Sequence, residues 1–118
     1  MEVRKLTRTD ARFERSPGQH GDIFTGNLVD QRDGGPVTVG YGRWCPRQSL
    51  KIDLLVYDTM IVLEGEVWAD TAEGTLHAGP GDIIYMPEGE TVTIRTGERE
   101  AITAYVTSPH WQVAQGAD

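Results

Sequence analysis

The chain has 118 residues, with 18 acidic and 11 basic side chains and a formal net charge of −7 at pH 7. This length suits one domain with a single core, and the acidic balance argues against a nucleic-acid or anionic-membrane partner. No apolar run could span a membrane, the first residues lack the apolar region of a signal peptide, and Cys45 has no second cysteine to pair with. We therefore expect a cytoplasmic protein.

The amino-terminal segment, residues 1–20, is charged and has no clear hydrophobic period, so it is interpreted as an arm. Its basic residues are Arg4, Lys5, Arg8, Arg12 and Arg15. Small β-proteins usually protect their exposed edge strands. We therefore expect the arm to cover the edge of a second copy, which makes a homodimer the predicted assembly.

Short strand patterns follow the arm. The range 21–29 reads as a strand interrupted near Gly26, and the range 33–36 is a hairpin-type turn. The range 37–45 alternates larger side chains with Thr and Gly. In the range 50–56, Ile52 and Leu54 share one face, whereas Lys51 and Asp53 share the other.

The stretch 57–92 is the most informative part of the chain. It alternates short apolar runs with turn signals, which are Glu73-Gly74, Gly79-Pro80-Gly81-Asp82 and Pro87-Glu88-Gly89. Gly65 interrupts an apolar run, which usually marks a bulge or a close backbone approach. A last strand is predicted over 101–107. Closely spaced strands with Gly and Pro turns indicate an all-β barrel or sandwich, with the barrel at 21–107 and a tail at 108–118 in one domain, 1–118.

Three motifs carry a resemblance to the cupin superfamily. They are L-E-G-E at 63–66, A-G-P-G-D at 78–82 and P-E-G at 87–89. The resemblance implies a conical, antiparallel double-stranded β-helix, that is, a jelly-roll barrel. It also implies a metal site of two or three His and a Glu. In this register Asp58 takes the Glu position and Val92 takes one His position.

The remaining His positions also lack histidine. They fall on Ile52 and Leu54, or on Lys51 and Asp53 if the spacer is one residue longer. The histidines of the chain are His20, His77 and His110, and no two of them have a ligand spacing. Because apolar side chains offer no lone pair to a cation, we predict no metal at this site and no cofactor.

Further motifs narrow the resemblance. With G-Y-G-R-W at 40–44, Tyr57-Asp58 and S-P-H-W-Q at 108–112, the chain resembles the ethanolamine-utilisation (EutQ-like) cupin family. The resemblance implies a compact, often dimeric barrel linked to small-molecule metabolism. An acetate-kinase-type activity is associated with that family, but no phosphate-binding glycine loop in this sequence supports it.

Asp58 is the candidate catalytic residue, because the cupin register points it into the barrel. An interior carboxyl group there would suit a general acid or base, or a clamp for a ligand amine; the opposing interpretation is a surface Asp at a strand start. The candidate ligand-binding residues are Trp44, Lys51, Asp53, Tyr57, Tyr85 and Tyr105. We expect Asp58 to lie near Tyr85 and Tyr105.

Three functions remain open from the sequence. The first is a cupin that binds a small polar metabolite through Asp58 and aromatic side chains. The second is a non-catalytic dimeric accessory domain whose barrel is filled by apolar residues such as Ile52, Leu54, Met60 and Val92. The third is a cupin isomerase or lyase that acts on a small polar metabolite. The apolar replacements favour the second, whereas Asp58 with several tyrosines favours a polar pocket.

Overall fold

A computed structural model describes residues 2–111, which form ten β-strands. The strands are β1 (Glu14–Arg15), β2 (Ile23–Val29), β3 (Thr38–Trp44), β4 (Ser49–Asp53), β5 (Tyr57–Glu64), β6 (Val67–Thr71), β7 (Gly74–Ala78), β8 (Ile83–Met86), β9 (Thr91–Thr96) and β10 (Ala101–Ser108). Short 3₁₀ turns lie at Arg8–Asp10 and Gln31–Asp33. Each strand predicted from the sequence is present within a few residues of its predicted bounds.

The strands form two antiparallel sheets. The six-stranded sheet has the order β1-β2-β3-β10-β5-β8, and the four-stranded sheet has the order β4-β9-β6-β7. From β4 onward the chain crosses repeatedly between the two sheets, so that strands distant in sequence, such as β3 and β10, become neighbours. This arrangement is the predicted double-stranded β-helix.

The core lies between the two sheets. Its buried apolar members are Ile23, Trp44, Leu54, Met60, Val62, Val67, Ala69, Ala78, Ile84, Met86, Val92, Ile94 and Ala101. Because side chains along a strand alternate between faces, burial of Ile94 fixes which face of β9 points inward. The fold therefore buries one face of each sheet and leaves most of the other accessible.

The arm packs against the outer face of its own six-stranded sheet. The hydroxyl of Tyr41 on β3 donates to the carbonyl of Leu6 at 3.4 Å, and Arg8 forms an ion pair with Glu64 at the end of β5. Residues 14–15 of the arm add β1 to the edge of β2. The described arm thus lies on this chain's own sheet. That it also covers the edge of a second copy, and that the protein is a homodimer, stay predictions.

Gly65 confirms the close backbone approach that its position suggested. Its φ of +76° is in the left-handed region, which glycine adopts at little cost. A Cβ at this position would also collide with the backbone of Glu100. The turn from β5 to β6 can therefore lie directly against the turn before β10. No helix in the described part of the chain has the length and hydropathy to cross a bilayer.

Candidate functional site

A cavity of about 140 Å³ lies between the sheets. Most of its wall is hydrocarbon, contributed by Ile23, Trp44, Leu50, Ile52, Leu54 and Met60 among others. The polar side chains on its wall include Thr25, Asp58, Thr103, Tyr105 and Thr107. The hydrocarbon part of the wall thus comes from both sheets, whereas these polar side chains lie on β2, β5 and β10 of the six-stranded sheet.

Two glycines on β3 make room for the polar side chains. A Cβ at Gly40 would lie 2.6 Å from the Tyr105 hydroxyl oxygen, and a Cβ at Gly42 would lie 2.6 Å from Thr103 Oγ1. Real Cβ atoms do not approach other atoms this closely, so any larger residue would displace its neighbour. The pattern Gly-x-Gly therefore leaves the middle of the inner face of β3 without side chains, so that Tyr105 and Thr103 of β10 can lie across it.

Asp58 points into this cavity from β5. Its pairing partners on the neighbouring strands are Thr107 on β10 and Met86 on β8. The Oδ1 atom is buried and has no hydrogen-bond partner among the described residues. Burial raises the pKa of Asp58 to about 6, because removal from water disfavours the charged form.

Thr107 lies beside Asp58 and, like it, has a buried side-chain oxygen with no hydrogen-bond partner among the described residues. The two residues face each other directly in the register of β10 and β5. Thr107 is only 2% exposed, and its Oγ1 also has no hydrogen-bond partner in the described structure. Two buried oxygen atoms on adjacent strands are therefore left unsatisfied at the cavity wall.

Tyr105, in contrast, is firmly held. Its hydroxyl group donates a hydrogen bond to Asn27 Oδ1 on β2. Asn27 Oδ1 also accepts a hydrogen bond from Trp111 Nε1 at 3.3 Å. Burial is the main reason that the pKa of Tyr105 is raised, so the phenol stays neutral at any physiological pH. Its ring serves as a fixed wall of the cavity.

His110 anchors the segment that follows β10. Its Nε2 lies 3.0 Å from the carbonyl oxygen of Gly35, and its Nδ1 lies 2.7 Å from Thr38 Oγ1. A carbonyl oxygen only accepts, so Nε2 carries the proton and Nδ1 accepts from the threonine hydroxyl. This histidine ties the segment that carries Trp111 to β3 and to the turn before it.

Four of the seven sequence-predicted site residues lie at the cavity. Trp44, Asp58 and Tyr105 line it as expected. Asp53 lies at its margin, and the carboxylate accepts a hydrogen bond from Thr91 Oγ1 at 2.9 Å. Since this contact already occupies Asp53, Asp58 is the cavity-lining carboxyl group with an unpartnered buried oxygen. The roles proposed for these residues stay predictions.

The other three, Lys51, Tyr57 and Tyr85, lie outside the cavity, and the expected position of Tyr85 near Asp58 in the barrel interior is wrong. Tyr85 is 62% exposed, because Met86, its neighbour on β8, points inward beside Asp58 and adjacent residues of a strand face opposite ways. Tyr57 precedes the inward-facing Asp58 and is exposed for the same reason. Lys51 is exposed on the outer face of β4, next to the cavity-lining Ile52.

Sequence reasoning missed the threonines of β10. Thr103, Tyr105 and Thr107 alternate with apolar residues along the strand, a pattern that normally places the polar side chains in solvent. Here the polar side faces inward. The arm contacts β3 and the end of β5 on the outer surface, at Tyr41 and Glu64, on either side of β10. The signal that could have identified this face is the matching Gly-x-Gly of β3.

The metal positions implied by the cupin register do not fit a metal ion. Leu54 and Val92 are buried hydrocarbon side chains, and Ile52 is partly buried. Asp58 is then the single donor in this register, and the alternative register adds only the carboxylate of Asp53, whereas such sites use three or four donor side chains. Across residues 2–111, no three His, Cys, Asp or Glu side chains converge on one point. The absence of bound metal stays a prediction that elemental analysis can test.

Comparisons with known proteins agree with this architecture. Residues 57–117 match the family described as the AraC-like ligand binding domain. A structural-genomics crystal structure from Rhizobium leguminosarum bv. viciae is 50% identical, with a TM-score of 0.77 over 93% of this chain and 100% of that one. No curated protein sequence matches the chain.

Two more distant structures share the fold. A putative ethanolamine utilization protein Q from Salmonella typhimurium is 23% identical, with a TM-score of 0.80 over 92% of this chain and 87% of that one. The polyketide cyclase RemF from Streptomyces resistomycificus is 24% identical, with a TM-score of 0.76 over 91% and 80% of the two chains. At these identities the likeness shows the fold alone.

Proposed function

Since the chain belongs to the AraC-like ligand binding domain family and has a cupin fold, we propose that it binds a small molecule in the cavity between its sheets. The observation that carries this proposal is the pair of unsatisfied oxygens, Asp58 Oδ1 and Thr107 Oγ1. Buried polar atoms in native proteins nearly always have a partner. A bound molecule at the cavity would supply the partner that residues 2–111 do not.

The size and lining of the cavity define the kind of molecule. An engineered apolar cavity of about 150 Å³ holds benzene, and the volume here is about 140 Å³. A ligand of this size would place a compact apolar body against Ile52, Leu54 and Met60. Its polar end would lie against Asp58 and Thr107. The proposed ligand is therefore a small metabolite with one polar end.

Asp58 also supports a second candidate function, the isomerase or lyase interpretation. A carboxyl group with a pKa of about 6 is close to the range in which a side chain accepts a proton efficiently at neutral pH. Catalysis would require that a ligand be converted on the protein. NMR of a binding ligand incubated with the protein in deuterated buffer tests this directly: exchange or conversion that Asp58→Asn abolishes would support catalysis, and an unchanged ligand would leave binding alone.

The binding proposal is tested by filling the cavity. In Ile52→Phe a larger side chain would occupy space at the cavity wall, whereas Ile83→Phe makes the same change at an exposed position on β8. A library of small fragments should raise the melting temperature of the parent and of Ile83→Phe, but not that of Ile52→Phe. Equal shifts for both variants would place the binding elsewhere, and an absence of shifts for the parent would contradict the proposal.

A further inference from the structure

The chemistry around Asp58 and Thr107 identifies the polar end of the ligand. We infer that the ligand carries a primary ammonium group, which lies between these two residues and donates a hydrogen bond to each. This inference rests on the proposed function, because it concerns the same cavity. It commits the site to amines with a compact apolar body.

The geometry of the pair suits a single bridging donor group. Residues that face each other on antiparallel strands have Cβ atoms about 5 Å apart, and Asp58 and Thr107 are such a pair. An ammonium nitrogen has three N–H donors and no acceptor, and it can lie about 2.8 Å from each of two oxygens on neighbouring strands. A carbonyl or carboxylate ligand could not satisfy Asp58 once this residue is ionised.

The charge balance of the cavity points the same way. Among the described residues that line it, none is Lys, Arg or His, and Lys51 lies on the outer face. The positive charge that would offset Asp58 must therefore come from the ligand, since a buried charge without a partner is costly. The same reasoning disfavours amino acids and other carboxylates, whose negative group would find no cation there.

The protonation of the lining residues sets the conditions for binding. The other titratable groups at the cavity are Asp53, which accepts from Thr91, and Tyr105, which burial keeps neutral. Because burial raises the pKa of Asp58 to about 6, this carboxyl group is ionised at pH 8, where a primary alkylamine is still protonated. The ion pair should therefore form at pH 8.

Three probes of one shape test the inference by isothermal titration calorimetry at pH 8. Benzylamine is the cation, benzyl alcohol is the neutral analogue and benzoate is the anion. A charged hydrogen bond contributes about 1.5–3 kcal/mol, or roughly 10- to 100-fold in affinity. Benzylamine should therefore bind the parent at least about tenfold more tightly than benzyl alcohol, and benzoate should not bind.

Two variants test whether Asp58 and Thr107 bind the ammonium group while the rest of the cavity binds the apolar body of the ligand. Asp58→Asn should lower the affinity for benzylamine by roughly 10- to 100-fold and leave the affinity for benzyl alcohol nearly unchanged. Thr107→Val, which keeps the shape of the side chain and removes its hydroxyl group, should lower the affinity for benzylamine by about three- to tenfold. Circular dichroism of both variants checks that the fold is retained.

The outcomes distinguish this inference from the proposed function. If benzyl alcohol binds as tightly as benzylamine, or if Asp58→Asn weakens both equally, the cavity binds ligands but the ammonium inference is wrong. If benzoate binds best, the charge argument is wrong. If none of the three probes binds the parent while fragments of other chemistry still raise its melting temperature, the inference falls and the proposed function stands.

Discussion

The inner faces of the two sheets differ in what they bury. The four-stranded sheet presents mainly hydrocarbon, through Val67, Ala69, Val92 and Ile94. The central strands of the six-stranded sheet present threonines, a tyrosine and two glycines, and Asp58 lies at the end of one row of these residues. Both faces belong to one barrel, yet one is packed as an ordinary core and the other leaves space and unsatisfied polar atoms.

This difference separates stability from function. A close-packed apolar face contributes to folding through burial and dispersion. A face with glycines and unpaired oxygens loses part of that contribution, and strained or unsatisfied groups typically occur at functional sites. The four-stranded sheet therefore acts as the support, and Asp58 and Thr107 on the other sheet carry the proposed binding chemistry.

The largest loss of stability is expected for Ile94→Ala in the four-stranded sheet. Ile94 is 0% exposed, and truncation of a buried Ile side chain costs about 2–5 kcal/mol because burial is lost and a void is left. The free energy of unfolding from denaturant titration measures this loss. Ile83→Ala, at an exposed position on β8, is the control and should change stability by less than about 0.5 kcal/mol. Similar losses of unfolding free energy for both variants would contradict the assignment of Ile94 to the core and Ile83 to the surface.

The next test concerns the stability cost of Asp58. Its pKa of about 6 in the folded state lies above the unfolded value of about 3.9, so the folded protein binds more protons between pH 4 and 6. Stability relative to Asp58→Asn should therefore fall as pH rises through this window, by at most about 3 kcal/mol. Because Asp70 and Asp30 have lowered pKa values and act in the opposite direction, only the difference between parent and variant is diagnostic. A pH-independent difference would contradict the burial of the carboxyl group.

The sequence predicted the fold and the inward position of Asp58 well, and the positions of the other candidate residues less well. Turn residues and the Gly65 bulge are local signals, so the strands followed from them. The topology and the inward position of Asp58 followed from the resemblance to the cupin motifs and their spacing. Tyr85 was misplaced because its face depends on the register of β8 against β5, where Met86 rather than Tyr85 shares the inward row with Asp58. No local pattern records such a pairing.

A smaller effect is expected when the bare surface of β3 is filled. In Gly40→Ala the added Cβ would lie 2.5 Å from the carbonyl oxygen of Gly26 and 2.6 Å from the Tyr105 hydroxyl, so backbone and ring must move, at a cost of about 1–3 kcal/mol. Gly79→Ala is the control, since the nearest atom there is 4.0 Å away. Chemical denaturation of both should show a loss for Gly40→Ala only. If Gly40→Ala left the free energy of unfolding unchanged, β3 would tolerate the added methyl group, and the glycines would not shape the cavity.

The smallest expected effect compares two buried threonines, one on each face. Thr96 on the four-stranded sheet is satisfied twice: its hydroxyl donates to the Cys45 carbonyl and accepts from the Gln48 backbone N–H, both at 2.8 Å. Thr107 on the six-stranded sheet has no partner for its hydroxyl within the described structure. Replacement of each by the isosteric valine removes a similar group from two different environments.

The two replacements should therefore change stability in different directions. Thr96→Val leaves the Gln48 N–H and the Cys45 carbonyl without their partner, which should lower the free energy of unfolding by about 1–2 kcal/mol. Thr107→Val removes a hydroxyl group whose burial is uncompensated, so stability should stay unchanged or rise by up to about 1 kcal/mol. Urea denaturation without ligand measures both. If Thr107→Val is destabilised as much as Thr96→Val, then Thr107 is a structural residue like Thr96. A stable Thr107→Val that binds benzylamine more weakly would instead show that this hydroxyl group serves the ligand rather than the fold.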